Sequence, residues 1–116
     1  MKALMIMLLA VLTLAVSQVS AEERKFTLVN DALNGTKIWY PPSLTVHQGD
    51  KVVLTLINKL EDPHGFNLED FGIKEVVQPK AQTTVEFTAA TTGVHDFGCQ
   101  MHPPHLGGQL LVLPAH

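Results

Sequence analysis

The sequence predicts an all-β fold, a Greek-key β-sandwich, for a single domain. Short runs rich in Val, Ile, Leu, Thr and Phe recur between residues 25 and 113, and Gly, Pro, Asn and Asp separate them at regular intervals. No part of this region has the 3.6-residue apolar period of a long helix. The 116 residues contain one Cys, so the core must stabilise the fold without an internal disulfide.

Eight strands are expected, and the alternation of side chains supports two of them individually. Residues 83–88 place Val85 and Phe87 on one face and polar side chains on the other, which is typical of a half-buried strand. Residues 52–57 are apolar on both faces apart from Thr55, as in the centre of a sandwich. The expected strands are 25–29, 36–39, 43–46, 51–57, 65–68, 83–88, 94–99 and 109–113.

The first 21 residues have the pattern of a secretory signal peptide. Lys2 provides the positive start, residues 3–16 are apolar, and the Val-Ser-Ala of residues 19–21 is a small-residue cleavage site. We expect cleavage after Ala21, which leaves a mature domain of residues 22–116 that is periplasmic or secreted. A retained membrane anchor is the alternative, but fourteen helical residues span roughly 21 Å, less than the roughly 30 Å of a bilayer core.

The charge excludes one large class of function. The chain has net charge -3 and no cluster of Lys and Arg that could neutralise phosphates, so no nucleic-acid partner is expected. No membrane span is expected in the mature chain. Beyond the leader, one Cys, one Met and six His are the side chains available to a soft or borderline metal ion.

A metal-ligand motif lies near the C-terminus, in a loop between two expected strands. Cys99 is followed by His102 and His105 at steps of three residues, and two prolines between the histidines stiffen the loop. A fourth ligand must come from a distant segment, and His64 stands at the start of an expected strand. Since the topology of a sandwich brings distant loops together at one end, we expect His64, Cys99, His102 and His105 to form one site.

Copper is the metal that this donor set favours. A Cys thiolate with two imidazoles and a weaker axial ligand is typical of mononuclear copper sites. Zinc is the main alternative, because one Cys with three His also satisfies a tetrahedral site, although structural zinc sites usually contain more Cys. A free thiol or an intermolecular disulfide is a further alternative for Cys99. A binuclear copper centre would require a second Cys.

The mature domain resembles the cupredoxin family over essentially its whole length. The resemblance rests on the segment 46–52 before a central strand, Asn58, the upstream His64, Gly93 and residues 99–108. Residues 65–76 and 99–103 are most similar to nitrosocyanin, a red copper protein, while the short ligand loop looks like that of amicyanins, with His105 in the place of their axial Met. The resemblance implies one copper per domain, with His64 where nitrosocyanin has a Glu ligand.

The remaining His and the Met are expected to lie outside the site. His95 shares strand parity with Phe97 and Cys99, so it should be a satisfied core histidine more readily than a ligand. His47 precedes a turn and is expected to be solvated, His116 ends the chain, and Met101 is expected to be a packing residue.

The expected function is electron transfer by a redox-active copper protein that docks a redox partner protein. An electron carrier requires no catalytic residue, and we expect none. Nitrosocyanin-like catalysis on a small nitrogen oxide, or its binding, and copper carriage or storage are the alternatives. A third imidazole in place of a thioether should favour Cu(II), lower the potential and produce a green or red site more than a blue one.

Overall fold

The structure, a computed structural model, describes residues 21–101 and 105–116, and this part of the chain is all-β, as the sequence predicts. The expected leader falls almost entirely outside the described residues, as do His102 and the two prolines that follow it. The strands are β1 Glu23–Leu33, β2 Thr36–Tyr40, β3 Ser43–His47, β4 Lys51–Asn58, β5 His64–Leu68, β6 Ile73–Val77, β7 Gln82–Thr88, β8 Gly93–Phe97, β9 His105–Leu106 and β10 Gly108–Leu113.

The strands form a five-stranded sheet, a three-stranded sheet and a hairpin. The first sheet has the order β7-β4-β1-β2-β9, the second has the order β3-β10-β8, and β5 pairs with β6. The hairpin extends the second sheet, because Asn67 and Gly98 exchange two backbone hydrogen bonds of 2.8 and 3.0 Å between β5 and the end of β8. β1 lies parallel to β4 and β10 lies parallel to β3, so both sheets combine strands that are distant in sequence.

The alternation read from the sequence explains how the core is built. In β4 every second side chain is buried, from Val52 through Leu54 and Leu56, and the facing strands contribute the other side of the core. In β7 Val85 is buried and its polar neighbours are exposed, which confirms the expected half-buried strand. Each fully buried Leu contributes about 1.5–3 kcal/mol, so the core accounts for most of the stabilisation. Its buried apolar residues are Leu28, Trp39, Leu44, Val46, Val52, Leu54, Leu56, Phe66, Leu68, Ile73, Val77, Val85, Ala89, Phe97, Leu110 and Val112.

Four elements differ from the sequence expectation. β1 runs over Glu23–Leu33 instead of residues 25–29. Residues 73–77, β6, were not expected as a strand, and they pair with β5 after a single 3-10 turn at Glu69–Phe71. β9 has only two residues, which pair in parallel with Lys37 and Ile38 of β2. β8 ends at Phe97, so Cys99 follows the strand instead of ending it.

The topology places three of the expected ligands at one end of the sandwich. His64 begins β5, Cys99 lies just beyond β8 next to the Asn67–Gly98 bridge, and His105 begins β9 at the edge of the first sheet. Among the described residues, no helix is long and apolar enough to cross a membrane.

Candidate metal site

His64, Cys99 and His105 converge on a common point. Each offers a ligand atom, and these atoms all lie within 4.8 Å of one another. The Nδ1 atom of His64 is 3.9 Å from the Cys99 sulfur, and the rings of His64 and His105 have centroids 5.6 Å apart. The structure therefore brings together three of the four residues expected from the sequence, while His102 lies outside the described residues.

The Cys99 sulfur is held by a backbone donor from the strand that carries His64. The N–H of Gly65 donates a hydrogen bond of 3.2 Å to the sulfur. His64 is fully buried and Cys99 is half-buried, so the donors lie in a partly dry environment. A thiolate beside two imidazoles is a donor set that suits copper by softness, and the residues present fit that ion.

Trp39 fixes the carbonyl side of the same residue, Gly65. Its indole N–H donates a 2.9 Å hydrogen bond to the carbonyl of Gly65, and its ring packs edge-to-face on Phe66 with centroids 5.6 Å apart. The Trp39 and His105 rings are also neighbours, at 6.5 Å. Gly65 is thus held at its N–H by Cys99 and at its C=O by a core residue, which restricts movement of the backbone next to His64. The sequence gave no sign of this contact.

Two buried asparagines form a polar network behind His105. Asn30 Oδ1 lies 2.9 Å from His105 Nε2, and Asn30 Nδ2 donates to Asn58 Oδ1 at 3.4 Å. Both asparagines are almost completely inaccessible to solvent. Sequence reasoning missed the role of Asn30, although its strand parity with Leu28 marks a polar side chain on the core face of β1.

Gln100 connects the segment after Cys99 to the β5–β6 hairpin. Its Nε2 donates a 3.0 Å hydrogen bond to the carbonyl of Glu75. Its side chain also lies where a Cβ on Gly65 would be, so only glycine leaves room for it. This packing holds the Cys99 segment and the His64 strand together on the outside of the site.

The other histidines among the described residues lie outside this cluster. His95 is buried and its nitrogens contact Asp70 and the carbonyl of Thr91, which agrees with the expected core histidine. His47 is partly buried, and its ring stacks on exposed His116 with centroids 3.6 Å apart. Met101 is 37% exposed, so most of its side chain is covered.

A β-sandwich in which one Cys and two His meet at one end defines a class of metal-binding domains suited to copper. The sequence model of the cupredoxin-like domain matches residues 4–112 of the chain. The protein therefore belongs to the cupredoxin-like domain family.

A curated relative and several solved structures are similar to the chain. Nitrous-oxide reductase of Stutzerimonas stutzeri is 33% identical over 78 residues, which cover 61% of this chain and 12% of that protein. A copper nitrite reductase from Nitrosomonas europaea has a TM-score of 0.70 and 21% identity, over 79% of this chain and 42% of that one.

Two further structures extend the comparison. A blue copper oxidase from Nitrosomonas europaea has a TM-score of 0.65 and 17% identity, over 81% of this chain and 40% of that one. A Cu-containing nitrite reductase from Thermus scotoductus has a TM-score of 0.64 and 24% identity, over 81% of this chain and 28% of that one. The chain spans less than half of each of these longer proteins, and the structural likeness shows a common fold.

Proposed function

We propose that the protein is a mononuclear copper protein that transfers electrons, with His64, Cys99, His102 and His105 as ligands of one copper ion per domain. The observation that carries the proposal is the convergence of His64, Cys99 and His105 within 4.8 Å at one end of the fold. Bound copper would supply a one-electron couple between Cu(I) and Cu(II). His102 enters the ligand set from its spacing in the sequence.

The chain's own contribution is to hold the donors in nearly the same positions in both oxidation states. His64 is anchored at the start of β5, and Gly65 beside it is bound by both Cys99 and Trp39. Because Gly65 lies on β5 and Trp39 on β2, these contacts connect the His64 segment to the first sheet and to the Cys99 segment. A frame of this kind keeps reorganisation small, which is the property that electron transfer requires.

The place of action and the partner are part of the same proposal. We place the mature domain, residues 22–116, in the periplasm or outside the cell after cleavage at Ala21, on the basis of the leader pattern. A redox partner protein would dock beside the metal, where Leu106 is 55% exposed and Met101 is also accessible. Exposed apolar side chains near a metal site favour transient protein contacts.

Replacement of the single cysteine tests the copper assignment. The purified mature domain should bind about one copper, and Cys99→Ser should abolish its visible charge-transfer absorption because that band requires a thiolate ligand. Met101→Leu is the matched control, since it removes the neighbouring sulfur and should leave the band unchanged. Zinc in place of copper after growth with both metals, or a band that persists in Cys99→Ser, would contradict the proposal.

The role of His105 and the alternative functions are tested on the same sample. With a third imidazole the protein should be green or red, and a single dominant blue-copper band would exclude His105 as a ligand.

Azide or nitric oxide should leave the spectrum unchanged if four protein ligands close the site. A clear shift would instead favour nitrosocyanin-like chemistry on a small nitrogen oxide, and rapid exchange of Cu(I) to a chelator would favour copper carriage.

A further inference from the structure

The buried amide of Asn58 has one possible orientation. Its Nδ2 faces the carbonyl oxygens of Asp62 at 2.8 Å and Val77 at 3.1 Å, and both of these groups can only accept hydrogen bonds. Its Oδ1 accepts the backbone N–H of Leu60 at 3.0 Å. Exchanging oxygen and nitrogen would break all three contacts in a buried position, so Asn58 must present its oxygen to Asn30.

The orientation of Asn58 determines the orientation of Asn30. Only a donor can face Asn58 Oδ1, so Asn30 must direct its Nδ2 there, and its Oδ1 then faces His105 Nε2 at 2.9 Å. Asn30 is fully buried, and its oxygen has no access to bulk water. His105 must therefore carry a proton on Nε2 for this contact to be a hydrogen bond, and the lone pair of its neutral ring is then on Nδ1.

We propose that Asn30 is a positioning residue that fixes the orientation and tautomer of His105, so that Nδ1 is the nitrogen available to a metal ion. This inference rests on the proposed function. An imidazole that binds a metal usually donates its other N–H to an oxygen acceptor, and Asn30 Oδ1 supplies that acceptor. The contacts run from the backbone carbonyls around Asn58 through Asn30 to His105. The last residue of β4 therefore orients a proposed ligand on β9.

The carbonyl of Leu106 offers His105 a competing arrangement. It lies 2.9 Å from His105 Nδ1, and a proton on that nitrogen would leave Nε2 as a lone pair facing the oxygen of Asn30. Leu106 lies at the surface, whereas Asn30 is completely buried. An unsatisfied buried oxygen costs about 1–3 kcal/mol, and a surface carbonyl can hydrogen bond to water, so the contact with Asn30 should prevail.

The tautomer can be measured directly. Long-range proton–nitrogen NMR spectra at about pH 8, where an ordinary histidine is neutral, should show His105 with its proton on Nε2 in the metal-free protein and in the diamagnetic Cu(I) form. A proton on Nδ1 in the metal-free protein would overturn the proposal. If the protein binds no copper, the proposed function fails, but the metal-free spectrum still decides the role of Asn30.

Substitution of Asn30 supplies the second measurement. Asn30→Leu, which removes the acceptor and keeps the branched shape of the side chain, should weaken Cu(I) binding by about 10–100-fold in competition with a chelator. The matched control is Val52→Ala, a buried change at the far end of the same sheet, which should lower the melting temperature and leave affinity unchanged. Equal Cu(I) affinity in Asn30→Leu and the control would overturn the proposal. If Asn30→Leu does not fold, the tautomer of the natural protein decides.

Discussion

His95 is a buried imidazole with oxygen acceptors at both ring nitrogens. Nδ1 is 2.6 Å from a carboxylate oxygen of Asp70, and Nε2 is 2.8 Å from the carbonyl of Thr91. Two acceptors are satisfied together only by the doubly protonated ring. The hydrogen bond to Asp70 therefore raises the pKa of His95 above its usual value, against the opposing effect of burial and with a further contribution from Thr91.

This pair makes stability depend on pH in a definite direction. Because the pKa of His95 is higher in the folded than in the unfolded state, its stabilisation is complete below about pH 6.5 and is lost as pH rises through the folded pKa. Asp70→Asn should lower that pKa and cost about 1 kcal/mol below pH 6.5, the usual net value of one hydrogen bond. Urea titrations across pH and NMR titration of the ring measure both effects.

The exposed neighbour of His95 provides the control. Asp96→Asn removes a carboxylate on the opposite face of β8 and should leave the pKa of His95 unchanged. Equal pKa values in the natural protein and Asp70→Asn would show that the carboxylate does not hold the ring protonated.

Individual site residues were predictable from sequence where the signal was local. Cys99 and His105 were expected together from their spacing in one loop, and His95 was identified as a core residue from its strand parity with Phe97. His64, 35 residues before Cys99, was expected there only from the general topology of a sandwich. Asn30 and Trp39 were not assigned to the site, because their partners lie 75 and 26 residues away. Contacts at such separations depend on strand pairing, which the chain's local pattern does not specify.

At the level of elements, the fit between β5 and the Cys99 segment depends on one glycine. A methyl group on Gly65 would occupy the position of the Gln100 side chain, whose Nε2 is bonded to the Glu75 carbonyl. Since that side chain can move away, we expect Gly65→Ala to expel it and break this hydrogen bond without unfolding the domain. The cost should be about 1–3 kcal/mol, typical of overpacking.

A double-mutant cycle isolates this contact. In a Gln100→Ala background Gly65→Ala should cost less, with a coupling of at least about 0.5 kcal/mol measured by chemical denaturation. Gly98→Ala is the matched control, because a Cβ there meets open space and should show no coupling to Gln100. Additive effects of Gly65→Ala and Gln100→Ala would mean that the two side chains do not compete for one position.

Strand order was harder to predict than strand position. Seven of the eight expected segments approximate observed strands in both position and extent, because alternation is a property of each segment alone. The parallel pairing of β1 with β4, and the addition of β9 to β2, join segments that share no turn. β6 was missed because its second residue, Lys74, is charged and its fourth, Val76, is an exposed apolar residue. The segment is a strand because it pairs with β5.

For the whole molecule, the backbone at Glu22, where the proposed mature domain begins, is tied to a buried carboxylate. Asp50 is almost fully buried, and it accepts hydrogen bonds from the backbone nitrogens of His47 at 2.9 Å and Glu22 at 3.2 Å. Burial raises the pKa of Asp50, but these hydrogen bonds and the charge of Arg24 together lower it below its usual value of 3.8. The stabilisation by Asp50 is therefore present above about pH 4 and is lost as pH falls through the folded pKa.

Cleavage after Ala21 would change the chemistry of this contact. The Glu22 nitrogen would become an α-ammonium 3.2 Å from Asp50 Oδ1, and hydrogen bonds between charged groups are stronger than those of a neutral amide. The mature protein with a free Glu22 amine should therefore melt at a higher temperature than the same chain acetylated at Glu22. A gain of about 1 kcal/mol corresponds to about 4–8 °C for a domain of this size.

The control repeats the comparison without the carboxylate. In an Asp50→Asn background the free and acetylated forms should melt at the same temperature, because the ammonium then has no buried anion to pair with. The difference in the natural sequence should also shrink as pH rises above the amine's ordinary pKa of about 8, since deprotonation removes its charge. A difference that persists in Asp50→Asn, or at high pH, would show that the new terminus acts through some contact other than Asp50.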